Sequence, residues 1–115
     1  MSEKDEANLL AILDAAGKIL RFSEEFNSAD EFYKDEKSFD ATMMNFVVVG
    51  ESVAKLSEKT MESNPQIPWP KIKGLRNIVA HDYFGIDAEE VWQIIQHHIP
   101  ALISDVEEIL SKSSG

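Results

Sequence analysis

The chain has 115 residues, 43% hydrophobic and 28% charged, a length and composition suited to one globular domain with its own core. It lacks cysteine, which excludes disulfides and thiolate metal sites. With 21 acidic and 11 basic residues it carries a net charge of −10, which argues against nucleic-acid binding through the overall field. The charged start, Met1 to Asn8, does not resemble a signal peptide, and the apolar run around Phe46 to Val49 is too short to span a bilayer. A cytoplasmic protein is expected, with no membrane contact.

Every segment reads as helix. Ser2 caps a first helix with Leu9, Leu13, Ala16 and Leu20 at helical spacing, flanked by Ile12, Ile19 and Phe26. Ser28 and Glu31 have the spacing of a capping box and open a short second helix. A third helix is expected from near Glu36 to about Met61. Its core stripe is Phe39, Met43, Phe46, Gly50, Val53 and Ala54, while Met44, Val47, Val48 and Val49 occupy its other faces. A helix apolar nearly all round is buried on more than one side, and in a small domain a second subunit is the simplest cover. A homodimer is therefore expected.

Ser63 to Pro70 reads as a loop, and a proline enters the first turn of a fourth helix from about Trp69 to Asp82. Asp87 and Glu90 open a fifth, to about Leu110, with a seam of Val91, Ile94, Ile95, His98, Leu102, Val106 and Ile109. Pro100 should kink that helix. The expected architecture is a single-domain, all-α, up-and-down bundle of four long helices and one short one.

The fourth helix carries the chemistry. Between Ser63 and His81 there is no acidic residue, yet Lys71, Lys73 and Arg76 lie there, either a chance cluster on a helix face or an island in which RNA phosphates could bind. On a wheel with Arg76 at zero, Lys73 falls near 60°, Asn77 near 100° and His81 near 140°, opposite the apolar arc of Ile72, Leu75, Ile78, Val79 and Tyr83. Arg76 and His81 are about 7.5 Å apart in rise, room for one phosphate. Cleaving RNA needs proton transfers at a 2′-hydroxyl and a leaving oxygen, which suit histidine, and stabilisation of charge on phosphorus, which suits arginine. Asn77 could orient either the imidazole or the substrate. By itself an R-x4-H pair is nonetheless a common spacing, and an exposed helix face with a surface arginine and histidine is the plainer account of it.

Glu51 interrupts the apolar third helix, either to orient Arg76 by an ion pair or to face solvent. Glycines inside helices cost about 1 kcal/mol each relative to alanine, so close helix approach is expected at Gly17 and Gly50. Gly74, beside the motif, could instead admit substrate backbone. His97 and His98 point about 100° apart and do not form a metal pair, and His98 is expected in the apolar seam. Trp69 and Trp92 are read as packing residues. No cofactor is expected.

Arg76-Asn77-Ile78-Val79-Ala80-His81-Asp82-Tyr83 has the form R-N-x3-H-x-Y. Ile67-Pro68-Trp69 and Gly74-Leu75 precede it, and Phe84-Gly85-Ile86-Asp87 and Val91-Trp92 follow. Upstream lie Val49-Gly50-Glu51-Ser52-Val53 and Lys55-Leu56-Ser57. In this order the chain resembles the HepT-like family of the HEPN superfamily over nearly its whole length. The resemblance implies a dimeric helical bundle acting as a metal-independent ribonuclease toxin, paired with a minimal nucleotidyltransferase antitoxin. It implies that Arg76 and His81 carry RNA cleavage and that the partner attaches AMP to Tyr83, blocking the phosphate position beside Arg76. Asp82 departs from the pattern and brings a carboxylate near the imidazole, either to favour its charged form or simply to face solvent. The alternative is a non-catalytic dimeric module that binds a nucleotidyltransferase or a nucleotide.

Overall fold

The computed structural model describes residues 1–82 and 85–114, with the backbone alone for residues 80–82 and 114. All its regular elements are helical: α1 Glu3–Ser23, α2 Ala29–Lys34, α3 Glu36–Ala54, α4 Glu58–Glu62, α5 Trp69–Lys73, α6 Leu75–Asp82, α7 Ala88–Gln93, a π-helical turn at Ile94–His98, and α8 Ile99–Ser114. The all-α bundle stands, and several of its rods are interrupted. No helix among the described residues is long and apolar enough to cross a membrane.

Local signals fix the starts of the helices. The Ser2 side chain accepts from the Asp5 N–H at 3.0 Å, and Glu3, Asp5 and Glu6 place negative charge at the positive end of α1. The Ser28 hydroxyl accepts from Glu31 N–H at 3.2 Å, while the Glu31 carboxylate accepts from Asn27, one residue before the cap, at 2.8 Å. Asp87 accepts from the N–H groups of Glu89 and Glu90.

The core seam of α1 is Leu9, Ile12, Ala16 and Ile19, with Leu13 and Leu20 at its partly buried edge. It packs against Met43, Phe46, Val49 and Val53 of α3 and against Ile99, Leu102 and Val106 of α8. Phe32 pins the short α2 by ring contacts with Phe26, Phe39 and Trp92 at 5.4–5.8 Å. Trp92 is thus a packing residue. So is Trp69, which is 6% exposed and whose indole N–H donates to the carbonyls of Met61 and Asn64.

Three expected helices are divided. The third ends at Ala54, not Met61, because Asp5, only 3% exposed, gathers donors from the following segment. Ser57 leaves helical geometry (φ −70°, ψ 153°), donates its N–H to Asp5 at 3.0 Å and its hydroxyl to the same carboxylate, and caps α4. Thr60 adds a hydroxyl at 2.6 Å. A buried carboxylate demands such donors, and the chain breaks its helix to supply them. The start of α1 therefore sits at the end of α3, and the two run antiparallel. Ala54, expected in the stripe, is exposed, and Val49 is buried instead.

The fourth expected helix divides at Gly74 into α5 and α6. In the fifth, the disturbance expected from Pro100 takes the form of the π turn just before it, where the Ile99 N–H donates to Ile94 O, five residues back. The wider turn relieves the crowding between the proline ring and the preceding carbonyls. It also shifts the phase of the helix by one residue. Ile99, 1% exposed, takes the inward place expected for His98, which is exposed.

Candidate functional site

Close approach of α3 to the α5–α6 junction builds the site. A Cβ added at Gly50 would lie 2.9 Å from Arg76 Cβ, from the Arg76 N–H nitrogen and from Lys73 O. Only a residue without a side chain fits there, and two of the three obstructing atoms are backbone. The next residue on α3, Glu51, is thereby brought beside the motif helix. Its Oε1 accepts from Arg76 Nη1 at 3.1 Å. The two side chains are 49% and 31% exposed, so this ion pair contributes about 0–1 kcal/mol and serves to aim the guanidinium. Both readings of Glu51 hold in part, since it pairs with Arg76 and also meets water.

Lys73 and Asn77 are exposed on the same rod as Arg76. The carbonyl of Gly74 accepts from the Asn77 N–H at 2.9 Å and so starts the turn that presents Arg76 and Asn77. His81 has its backbone in α6, five residues beyond Arg76, and its side chain lies outside the described residues, as does that of Asp82. Tyr83 lies outside them altogether.

Lys71 separates from the other cations. It faces a groove of about 400 Å³ between α5–α6 and α7–α8, together with Gly74, Leu75, Ile78, His98 and Leu102. The residues expected to form one positive island therefore serve two places. Sequence reasoning missed this groove, because the π turn that brings His98 to its edge leaves no local signature beyond Pro100.

Two glycine readings change. An added Cβ at Gly17 meets nothing within 4 Å, so close packing in this chain does not account for that glycine. At Gly74 the nearest atoms are its own α5 carbonyls, at 3.2 and 3.3 Å, and its open side faces the groove. Among the described residues, no three histidine or carboxylate side chains gather as a metal site.

Comparison with known proteins places this geometry. The family model described as ribonuclease HepT-like matches residues 12–109. A Methanocaldococcus jannaschii protein provisionally named as an RNase is 36% identical over all of this chain and 95% of its own. Another, from Caldanaerobacter subterraneus subsp. tengcongensis and named in the same way, is 34% identical over 74% of this chain and 76% of its own. A Thermococcus cleftensis protein, provisionally named ribonuclease HepT, is 25% identical over 84% of this chain and 91% of its own. No solved structure matches the chain. The matched segment contains Gly50, Glu51, Arg76 and His81, and the chain belongs to the ribonuclease HepT-like family.

Proposed function

We propose that the protein is a metal-independent RNA endonuclease in which Arg76 holds the scissile phosphate and His81 moves the protons. The observation that carries this reading is the placement of Arg76, fixed by the Gly50 contact and aimed by Glu51. In the proposed reaction the 2′-hydroxyl loses its proton and its oxygen bonds to phosphorus. The bond from phosphorus to the 5′-oxygen breaks, and that oxygen takes up a proton. The products are a 2′,3′-cyclic phosphate and a 5′-hydroxyl. The guanidinium meets Glu51 through one nitrogen and keeps its other donors for the negatively charged oxygens of the phosphorane. Asn77 lies beside Arg76 to orient substrate, and Lys71 and Lys73 supply further phosphate contacts.

The working unit in this reading is a homodimer. Met44 and Val48 of α3 are 63% and 36% exposed and stand two turns and one turn, respectively, before Glu51 on its side of the helix. A second copy covering them would bring two motif helices to one cleft and double its positive charge. The enzyme acts as the toxin of a pair, and a minimal nucleotidyltransferase neutralises it by attaching AMP to Tyr83, adding a phosphate that competes for Arg76. A non-catalytic module that binds a nucleotidyltransferase or nucleotide is the second reading, favoured by the net charge of −10.

Induced expression in a bacterial host tests the first reading. Growth should stop with the parent chain, continue with Arg76→Ala or His81→Ala at equal protein level, and be restored by co-expression of a nucleotidyltransferase that modifies Tyr83. Variants as toxic as the parent would overturn it.

A further inference from the structure

We propose that the groove between α5–α6 and α7–α8 binds one nucleotide of single-stranded RNA, selecting a base that carries an exocyclic amine. This rests on the ribonuclease reading and adds to it a substrate preference located away from the reacting atoms.

The groove has the form of a small-molecule site. Its volume of about 400 Å³ lies within the roughly 300–1,000 Å³ typical of such sites. Its floor is apolar, from Ile72, Leu75, Ile99 and Leu102, each at most 9% exposed. Polar groups stand around the mouth: Lys71, Glu90, Gln93, His98 and Asp105. Two interruptions of the fold open it. Gly74 contributes no side chain to one wall, and the π turn brings His98 to the other beside Ile94 and Ile99. π turns of this kind concentrate at functional sites.

The chemistry of the walls selects the occupant. A flat heterocycle fits between isoleucine and leucine side chains, and Lys71 at the edge suits its phosphate. The carboxylate oxygens of Glu90 and Asp105 accept hydrogen bonds, so they match amine hydrogens and oppose carbonyl oxygens. Adenine, cytosine and guanine offer a two-hydrogen exocyclic amine to them, whereas uracil has only its ring N3–H between two carbonyls that the carboxylates oppose, and is disfavoured.

Position ties the groove to the cleavage site. Lys71, Ile72, Leu75 and Ile78 line it from the same rod that carries Lys73, Arg76 and Asn77 on its other arc. A strand crossing that rod, about 10–12 Å thick, would seat one base in the groove while a phosphate a few nucleotides along reaches Arg76.

The test uses the full chain with isotope-labelled isoleucine methyls and 2′-O-methyl pentanucleotides, which cannot be cleaved. Oligo-A and oligo-C should shift the methyl signals of Ile72, Ile78, Ile94 and Ile99, with oligo-U binding about tenfold more weakly. Ala101 is exposed at the mouth, so Ala101→Trp should fill the groove without entering the core and weaken oligo-A binding about tenfold or more. A parent-like thermal melt checks that this variant folds. The double variant Glu90→Gln, Asp105→Asn should remove the discrimination against oligo-U.

Groove methyls that do not move, or equal binding of oligo-U, would overturn the proposal. AMP or CMP alone binding as tightly as the pentanucleotides would overturn RNA as the occupant in favour of a free nucleotide. Methyl shifts that follow protein concentration alone would assign the groove to a second copy and overturn it too. Cleavage of unmodified RNA, measured in parallel, separates the two claims. Cutting with unmoved groove methyls removes the nucleotide site and keeps the ribonuclease, and groove binding without cutting does the reverse.

Discussion

The α1–α3 pair and the α5–α8 arm solve different problems with the same element. The first is two long antiparallel helices, capped at their starts, with an apolar seam of close-packed residues at 0–5% exposure. The second is a run of short helices that ends in the longer α8, broken at Gly74 and widened over Ile94–His98, and it carries the motif and the groove. Uninterrupted helices bury area efficiently. Interrupted ones leave backbone turned and surfaces open, which is where a ligand can be held. The halves also pack along α1 and α8, and at Gly50 the regular α3 touches the motif rod itself.

If this division is right, damage to the first half should cost stability and damage to the second should cost activity. The largest stability effect is expected at Asp5. Asp5→Ala strips the acceptor from one N–H and two hydroxyls and should destabilise by about 2–3 kcal/mol in denaturant titration, while the surviving folded fraction cleaves RNA normally. The same carboxylate gives a pH signature. Burial pushes its pKa up, but the hydrogen bonds from Ser57 and Thr60 outweigh burial, so it lies below its ordinary 3.8. Its contribution is complete above about 3.9, the value in an unfolded chain, and is lost as pH falls through the lowered native value. Unfolding of the parent, compared with Asp5→Asn between pH 6 and pH 2, should show the two curves converging only at the acid end.

Gly50→Ala tests the junction. The added methyl must push against two backbone atoms, so the motif rod has to shift, at about 1–3 kcal/mol. Cleavage should fall by more than the loss of folded protein explains. Unchanged cleavage from folded Gly50→Ala would mean that the contact does not set the position of Arg76. The smallest effect belongs to Glu51→Gln, which should move stability by less than about 1 kcal/mol because the pair is half exposed. Its effect should appear in the rate, as a lower kcat with little change in melting temperature.

What could be read ahead of the structure follows from range. Ser2, Ser28 and Asp87 were legible as caps because each satisfies N–H groups within four residues. The end of α3 was not, because the acceptor that draws Ser57 out of the helix is Asp5, 52 residues away. His98 was placed inward by counting at a constant helical period, and one π turn is enough to invert that count. Gly50 was legible as a point of close approach from its cost within a helix, yet nothing local named Arg76 as the atom it meets. The pairing of Glu51 with Arg76 could be suspected from a carboxylate in an apolar helix. Its geometry needed the fold.

The most direct test of the central claim is the product left on end-labelled RNA incubated in EDTA with the parent and with His81→Ala. The parent should leave 2′,3′-cyclic phosphate ends, and His81→Ala should cleave about 10²–10⁴-fold more slowly, the usual scale for loss of a general acid or base. Equal cleavage by both, or no cleavage of any RNA by parent chain with Tyr83 confirmed unmodified, would contradict it.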